Sequence, residues 1–151
     1  MVRVVLDTNV FINANRGEFS YPKRILDLVR QGKIVAVITR SVQRENELIV
    51  NKLVNDKNLQ GDIREFLALT VDVEPSDVRV DIEDKEDIKL LQAAVGGKAD
   101  FLITDDRHLL VIEEYRGVKI LTPGNFWQWW EKKQDETGHT WKNWTKDILV
   151  K

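Results

Sequence analysis

The chain has no cysteine among its 151 residues. That absence excludes a disulfide framework, a thiol nucleophile and a thiolate zinc site. Histidine is nearly absent too: only His108 and His139 are present, so a histidine-rich metal site is excluded. No run of about twenty apolar residues and no basic-plus-apolar leader occurs, so a soluble, cytoplasmic protein with no membrane contact is expected. Nor is there a surplus of positive charge. The formal net charge of −2 argues against holding nucleic acid by bulk electrostatics. It does not exclude phosphate as a ligand, because bound divalent cations would concentrate positive charge at one place. What is present, 42% hydrophobic residues in a chain of this length, suffices for one compact domain with a genuine core.

Short β-branched runs alternate with helical patterns. Val2–Leu6, Ile34–Ile38, Phe101–Ile103 and Val118–Leu121 read as buried parallel strands. Pro22 opens a helix that Gly32 can close, and a second helix runs from about Ser41 to Val54. Asn55–Gly61 reads as a turn, and Asp62 with Glu65 resembles a capping box for a third helix to Leu69. Val71–Asp84 reads as irregular, with room for one short strand. Asp84 caps a helix ending near Gly96-Gly97, and Thr122-Pro123 starts the last one. No repeat, low-complexity segment or linker interrupts the pattern. The expected fold is α/β, a three-layer α/β/α sandwich around a mainly parallel sheet.

Four acidic positions stand out, because this alternation would carry them to the carboxyl ends of the strands, where open α/β sheets place their sites. Asp7 ends the first strand, followed by the oxygen-bearing Thr8 and Asn9; an Asx-turn is its plainer reading. Asp87 projects within about 60° of Leu90, Leu91 and Ala94 at 100° per residue, an apolar face on which an unpaired carboxylate is costly. Favouring the helix dipole is the alternative. Glu45 lies at the border of an apolar stripe, flanked by Val42, Leu48 and Ile49, whereas Glu47 belongs to the solvent face. An ion pair with Arg40 or Lys52 would also account for Glu45. After the strand Phe101–Ile103 come Thr104, Asp105 and Asp106; one Asp can cap a following helix, and the second needs another explanation. Gathered carboxylates repel by several kcal/mol per close pair at an effective dielectric of about 20. A hard cation with oxygen ligands, Mg²⁺ or Mn²⁺, would relieve that repulsion.

These residues resemble a known family. Asp7-Thr8-Asn9-Val10, Glu45 six residues after Thr39, Asp87 seven before Ala94, and Thr104-Asp105-Asp106-Arg107-His108-Leu109-Leu110 are similar to the PIN-domain pattern. Ile120-Leu121-Thr122-Pro123-Gly124-Asn125-Phe126 looks like that family's last strand and helix, and the similarity spans about residues 2–130. The resemblance implies a Mg²⁺- or Mn²⁺-dependent ribonuclease that uses one or two ions and metal-activated water. It is similar to the small VapC-type toxins of toxin–antitoxin pairs, which implies RNA as substrate, a protein antitoxin and a homodimer. Asp7, Glu45, Asp87 and Asp106 match the family's acidic positions; Asp105 falls where a small or variable residue is usual. Thr8, Asn9 and Thr104 would orient ligands or water, and Arg40, Lys98 and Arg107 are candidates for phosphate contact.

Residues 1–130 form the expected nuclease domain. Residues 131–151, with Trp141 and Trp144, form an extension packed on it. On the last helix, Trp127 and Trp130 share a face suited to covering the core, while Trp129 is expected to point elsewhere. A haloacid dehalogenase-type phosphotransferase would want an acid at position 9, where Asn9 stands, and a receiver domain fits poorly. The non-enzymatic alternative is an RNA- or partner-binding module of the same fold with weak or no catalysis.

Overall fold

The computed structural model describes residues 1–13, 20–53 and 55–150, with side chains described except at residues 53 and 137–150. In chain order the elements are β1 (Arg3–Leu6), α1 (Asn9–Asn13), α2 (Tyr21–Arg30), β2 (Val35–Ile38), α3 (Arg40–Leu53), α4 (Lys57–Leu69) and β3 (Val71–Asp72). They continue as α5 (Lys85–Gly96), β4 (Phe101–Ile103), α6 (Arg107–Leu110), β5 (Glu114–Tyr115), β6 (Val118–Leu121) and α7 (Pro123–Val150). The six strands form one sheet in the order β3-β2-β1-β4-β6-β5, parallel except for β5 against β6. Helices flank it, as expected of an α/β sandwich.

The central strands are buried on both faces, which is why they read as unbroken apolar runs. Val4, Val5, Leu6, Leu102 and Ile103 are at most 2% exposed. The chain builds one half of the sheet outward from β1 through β2 to β3, then returns to β4 on the other side of β1. The order therefore reverses between β1 and β4, and such a switch point opens a crevice at the carboxyl ends of the two strands. Asp7 and Thr104 stand immediately beyond those ends. Asp7 N–H donates to the Ile103 carbonyl at 2.9 Å, and Thr104 N–H donates to Leu121 at 2.9 Å, so both backbones are fixed by the ladder.

Several local features differ from the sequence reading. The segment expected as a turn at Asn55–Gly61 is mostly helix, because Asp56 caps α4 by accepting from Asn58 and Leu59 N–H. Starting there buries Leu59 along with Ile63, Phe66 and Leu67. Asp62 and Glu65 therefore sit within the helix, paired with Lys23 at 3.5 Å and Arg30 at 2.5 Å. β5 was unforeseen. It folds back on β6 through Arg116 and Gly117, both at positive φ (48° and 84°), a turn geometry suited to a tight hairpin. In α3 the buried stripe runs Val42, Asn46, Val50, while Leu48 is 55% exposed. Trp129, expected to point elsewhere, packs on Phe101 and Phe126 at ring separations of 4.6 and 5.9 Å. Trp127 and Trp130 also pack against the core. The side chains of Trp141 and Trp144 lie outside the described residues.

The end of α5 is anchored by a close approach. A Cβ at Gly96 would stand 1.9 Å from the Glu74 carbonyl oxygen, and Ser76 N–H donates to Gln92 at 3.1 Å. Only glycine lets the strand-like segment 73–76 lie this close to the helix. Gly96→Ala should therefore cost about 1–3 kcal/mol, whereas Gly61→Ala, inside α4 with open space around it, should be neutral or stabilising by up to about 1 kcal/mol. Thermal unfolding of the two variants checks this; equal midpoints would show that the approach is slack.

Candidate metal centre

Thr104 joins the acids of β1 and β4. It is fully buried, and its hydroxyl donates to Asp7 Oδ2 at 2.9 Å while accepting the Asp106 N–H at 3.0 Å. Asp7 Oδ1 accepts the Asn9 N–H at 3.1 Å, the Asx-turn geometry, which opens α1. Asp106 is the N-cap of α6, accepting the His108 N–H at 2.8 Å. The plainer readings of both acids are thus correct as local structure, and Thr104 ties the two together.

Asp87 completes the group from α5. Asp84 caps that helix by accepting the Glu86 N–H, which turns its first residues so that Asp87 faces inward, only 4% exposed. Its Oδ2 is buried without a hydrogen-bond partner among the described residues. Ligand atoms of Asp87, Asp106 and His108 all lie within 4.8 Å of one another. The sequence reading did not single out His108 as a ligand. Its signal is the spacing from Asp106, since the capped turn brings His108 Nδ1 to 3.3 Å from Asp106 Oδ1.

The electrostatics follow from this crowding. Burial, then the charges of Asp106 and Asp84, a proton shared with Asp106, and the charge of Asp7 push the Asp87 carboxyl up from 3.8 to about 7. The Asp7 carboxyl is also raised, chiefly by burial; the Asn9 and Thr104 hydrogen bonds oppose the rise and the charges of Asp106 and Asp105 add to it. The neighbouring charges that raise these two acids are all those of aspartates. An all-oxygen donor set with one buried, unpartnered carboxylate oxygen fits a hard divalent cation, with His108 as a borderline addition.

Other predicted positions fall elsewhere. Glu45 lies in a second group with Glu86 and Lys89 and is bonded to the Lys89 ammonium. Burial tends to raise its carboxyl, but hydrogen bonds from Glu86 and Lys89 outweigh this and hold it below the ordinary range. Glu47 is solvent-exposed. Asp105 is exposed and lines a neighbouring groove of about 550 Å³ with Val10, Tyr21, Arg24 and Gly124. Thr8 is buried. Arg107 opens α6 beside Asp106, and Arg40 faces Asp72 at 3.8 Å. Lys98 precedes β4 and so stands at the opposite edge of the sheet from the acids.

The PIN domain pattern matches residues 3–108, from the start of β1 into α6. The chain belongs to the PIN domain family. PIN domains are generally metal-dependent nucleases, and in this one Asp87, Asp106 and His108 form a group that could hold a divalent ion. MJ1680, an uncharacterized protein of Methanocaldococcus jannaschii, is 28% identical over 145 residues, covering 87% of this chain and 93% of its own. No solved structure matches the chain significantly. Among the described residues, no helix is long and apolar enough to cross a membrane.

The raised Asp87 carboxyl links stability to pH in this PIN domain. The folded state holds a proton that the unfolded chain releases near 3.8, so the stability tied to that proton is complete below about 4 and lost as pH rises through about 7. Metal-free protein should therefore melt at progressively lower temperature between pH 4 and 7.5. Asp87→Asn should melt higher at neutral pH and show a flatter profile. Parallel profiles for the two proteins would mean that Asp87 ionises freely.

Proposed function

We propose that this PIN domain is a ribonuclease that hydrolyses RNA phosphodiester bonds with the aid of Mg²⁺ or Mn²⁺. The observation that carries the reading is the Asp87 carboxylate, buried near Asp106 and Asp7 with an oxygen that has no hydrogen-bond partner among the described residues. Asp7, Asp87 and Asp106 would hold the ion, with His108 close enough to Asp87 and Asp106 to add to it; Asp105 and Glu45 are further acids of the proposed site. When bound, the ion supplies Lewis acidity toward the phosphate and toward the attacking water. The protein supplies position. Thr104 keeps Asp7 and Asp106 in fixed register, Asn9 N–H holds the other Asp7 oxygen, and burial keeps competing water away from Asp87. Arg107, next to Asp106 in the chain, is the first candidate for a phosphate contact, and Arg40 a second.

A toxin role is supported by the family resemblance, since the acidic pattern is similar to that of VapC-type toxins paired with an antitoxin. The tryptophan-rich end supports an interface, since indoles are enriched in binding hot spots. The domain itself would comprise residues 1–130, and residues 131–151 an extension serving homodimer or antitoxin contact. α7 runs without a break from Pro123 to Val150, so both parts share one helix.

A mixed RNA pool incubated with Mn²⁺, against an EDTA control, tests the activity. Asp7→Asn and Asp106→Asn should each reduce cleavage by at least about a hundredfold while leaving the fold intact or more stable, because each relieves like-charge repulsion. Cleavage at wild-type rate by either variant would refute the assignment, and binding without cleavage by the wild type would favour an RNA-binding module. Truncation after Gln134 should leave a folded domain with weaker self-association in sedimentation; an unchanged dimer would assign the tail to packing alone.

A further inference from the structure

The adjacent acids after β4 part company. Among the described residues, Asp106 groups with Asp87 and His108, whereas Asp105 lines the groove of about 550 Å³ with Val10, Tyr21, Arg24 and Gly124. That volume falls within the range of about 300–1,000 Å³ usual for small-molecule sites. The groove adjoins the acids at the ends of both β1 and β4. Val10 N–H donates to the Asp7 carbonyl at 3.0 Å, Asp105 directly precedes Asp106, and the charge of Asp105 acts on Asp7. Tyr21 is 42% exposed, more than a ring serving the core requires. The ring is nonetheless held. The Arg24 guanidinium lies 5.3 Å from its centre and 5.6 Å from that of Trp127, and a Cβ at Gly124 would come within 3.3 Å of it. An exposed tyrosine or a solvated aspartate is ordinary by itself; here both face one concavity beside the metal centre.

We propose that this groove is a subsite for one unstacked base of single-stranded RNA, with Tyr21 as the stacking surface and Asp105 selecting guanine. The inference deepens the ribonuclease reading above and rests on it for RNA as the ligand. A fixed, exposed ring stacks on any base, because every base has a flat π-face. Selection then comes from the Watson–Crick edge. An ionised carboxylate only accepts hydrogen bonds, through two oxygens. Guanine carries two adjacent donors on that edge, N1–H and the 2-amino group, and satisfies both oxygens at once. Adenine and cytosine set a ring acceptor beside their single amino group, and uracil flanks its one N–H with two carbonyls. Each of these three turns a lone pair toward the carboxylate. Arg24 adds a positive charge for the phosphodiester backbone, which a chain of net charge −2 must supply locally. One ring between opposite charges suits a polar, planar base better than an apolar peptide side chain.

Fluorescence anisotropy with a labelled short oligouridylate, and with the same strand carrying one guanosine, adenosine or inosine, tests this. EDTA is present, so that binding is read apart from cleavage. Wild type should bind the guanosine strand at least about fivefold tighter than the adenosine strand. Inosine, which lacks the 2-amino group, should lose most of that margin. Asp105→Ala should bind all the strands alike. Tyr21→Ala should weaken every strand by about five- to a hundredfold, and Tyr21→Phe, which keeps the ring, should not. Thermal unfolding checks each variant, and Asp105→Asn and Tyr21→Leu replace any that is not folded. No guanosine margin on the wild type, a margin that survives in Asp105→Ala, or unchanged binding by Tyr21→Ala overturns the proposal; the last would leave the groove to a protein segment. A margin that depends on Asp105, without cleavage of the RNA pool in Mn²⁺, refutes the ribonuclease reading and upholds the subsite. Cleavage of the pool with no margin refutes the subsite alone.

Discussion

Like charge crowded into a dry crevice is the constraint on which this structure turns. Asp7 and Asp87 are buried near Asp106, and the neighbouring charges that raise their carboxyls are those of other aspartates. Such a cluster is unfavourable by itself and is kept only because the rest of the fold holds it in place. The ladder bonds that fix Asp7 to Ile103 and Thr104 to Leu121 act on the backbone, where side-chain repulsion cannot undo them. The Thr104 hydroxyl then gives Asp7 an acceptor's partner and Asp106 a donor's partner with one atom. Metal affinity in such a site is the release of repulsion that folding has already built in.

The sequence carried much of this because its signals were geometric. Asp87 beside Leu90, Leu91 and Ala94 at helical spacing could only be buried or misread, and the helix does bury it. The four main strands were legible as apolar runs because parallel strands covered on both faces leave no alternation to confuse. Where the reading failed, a polar side chain held a place that hydrophobicity assigns to solvent. Asn46 lies at the centre of the α3 stripe, four residues from both Val42 and Val50, with its side-chain nitrogen unpartnered. Leu48, apolar and apparently suited to the core, is exposed. The start of α4 was missed for a different reason: Asp56 and Asp62 can both cap, and only the burial of Leu59 decides between them.

Residue identity was also less informative than residue company. Glu45 and Asp87 are both acids on neighbouring helices, yet their carboxyls shift in opposite directions. Lys89 accounts for the difference on one side, and the neighbouring aspartates on the other. No motif describes that division, because it depends on a lysine two positions beyond Asp87 reaching across to another helix.

The Asp7–Thr104 hydrogen bond joins residues 97 apart in sequence. A contact of that separation forms late, after the intervening loop entropy has been overcome. During synthesis the chain displays Asp7 early, but the hydroxyl that orients it and the Asp106 that faces it emerge only after about two-thirds of the protein has been made. An incomplete or truncated product therefore carries a lone acid at the end of a strand and none of the convergent charge. The circuitous wiring of the sheet thus works as a safeguard in time: a nascent chain has no assembled crevice until β4 has docked against β1.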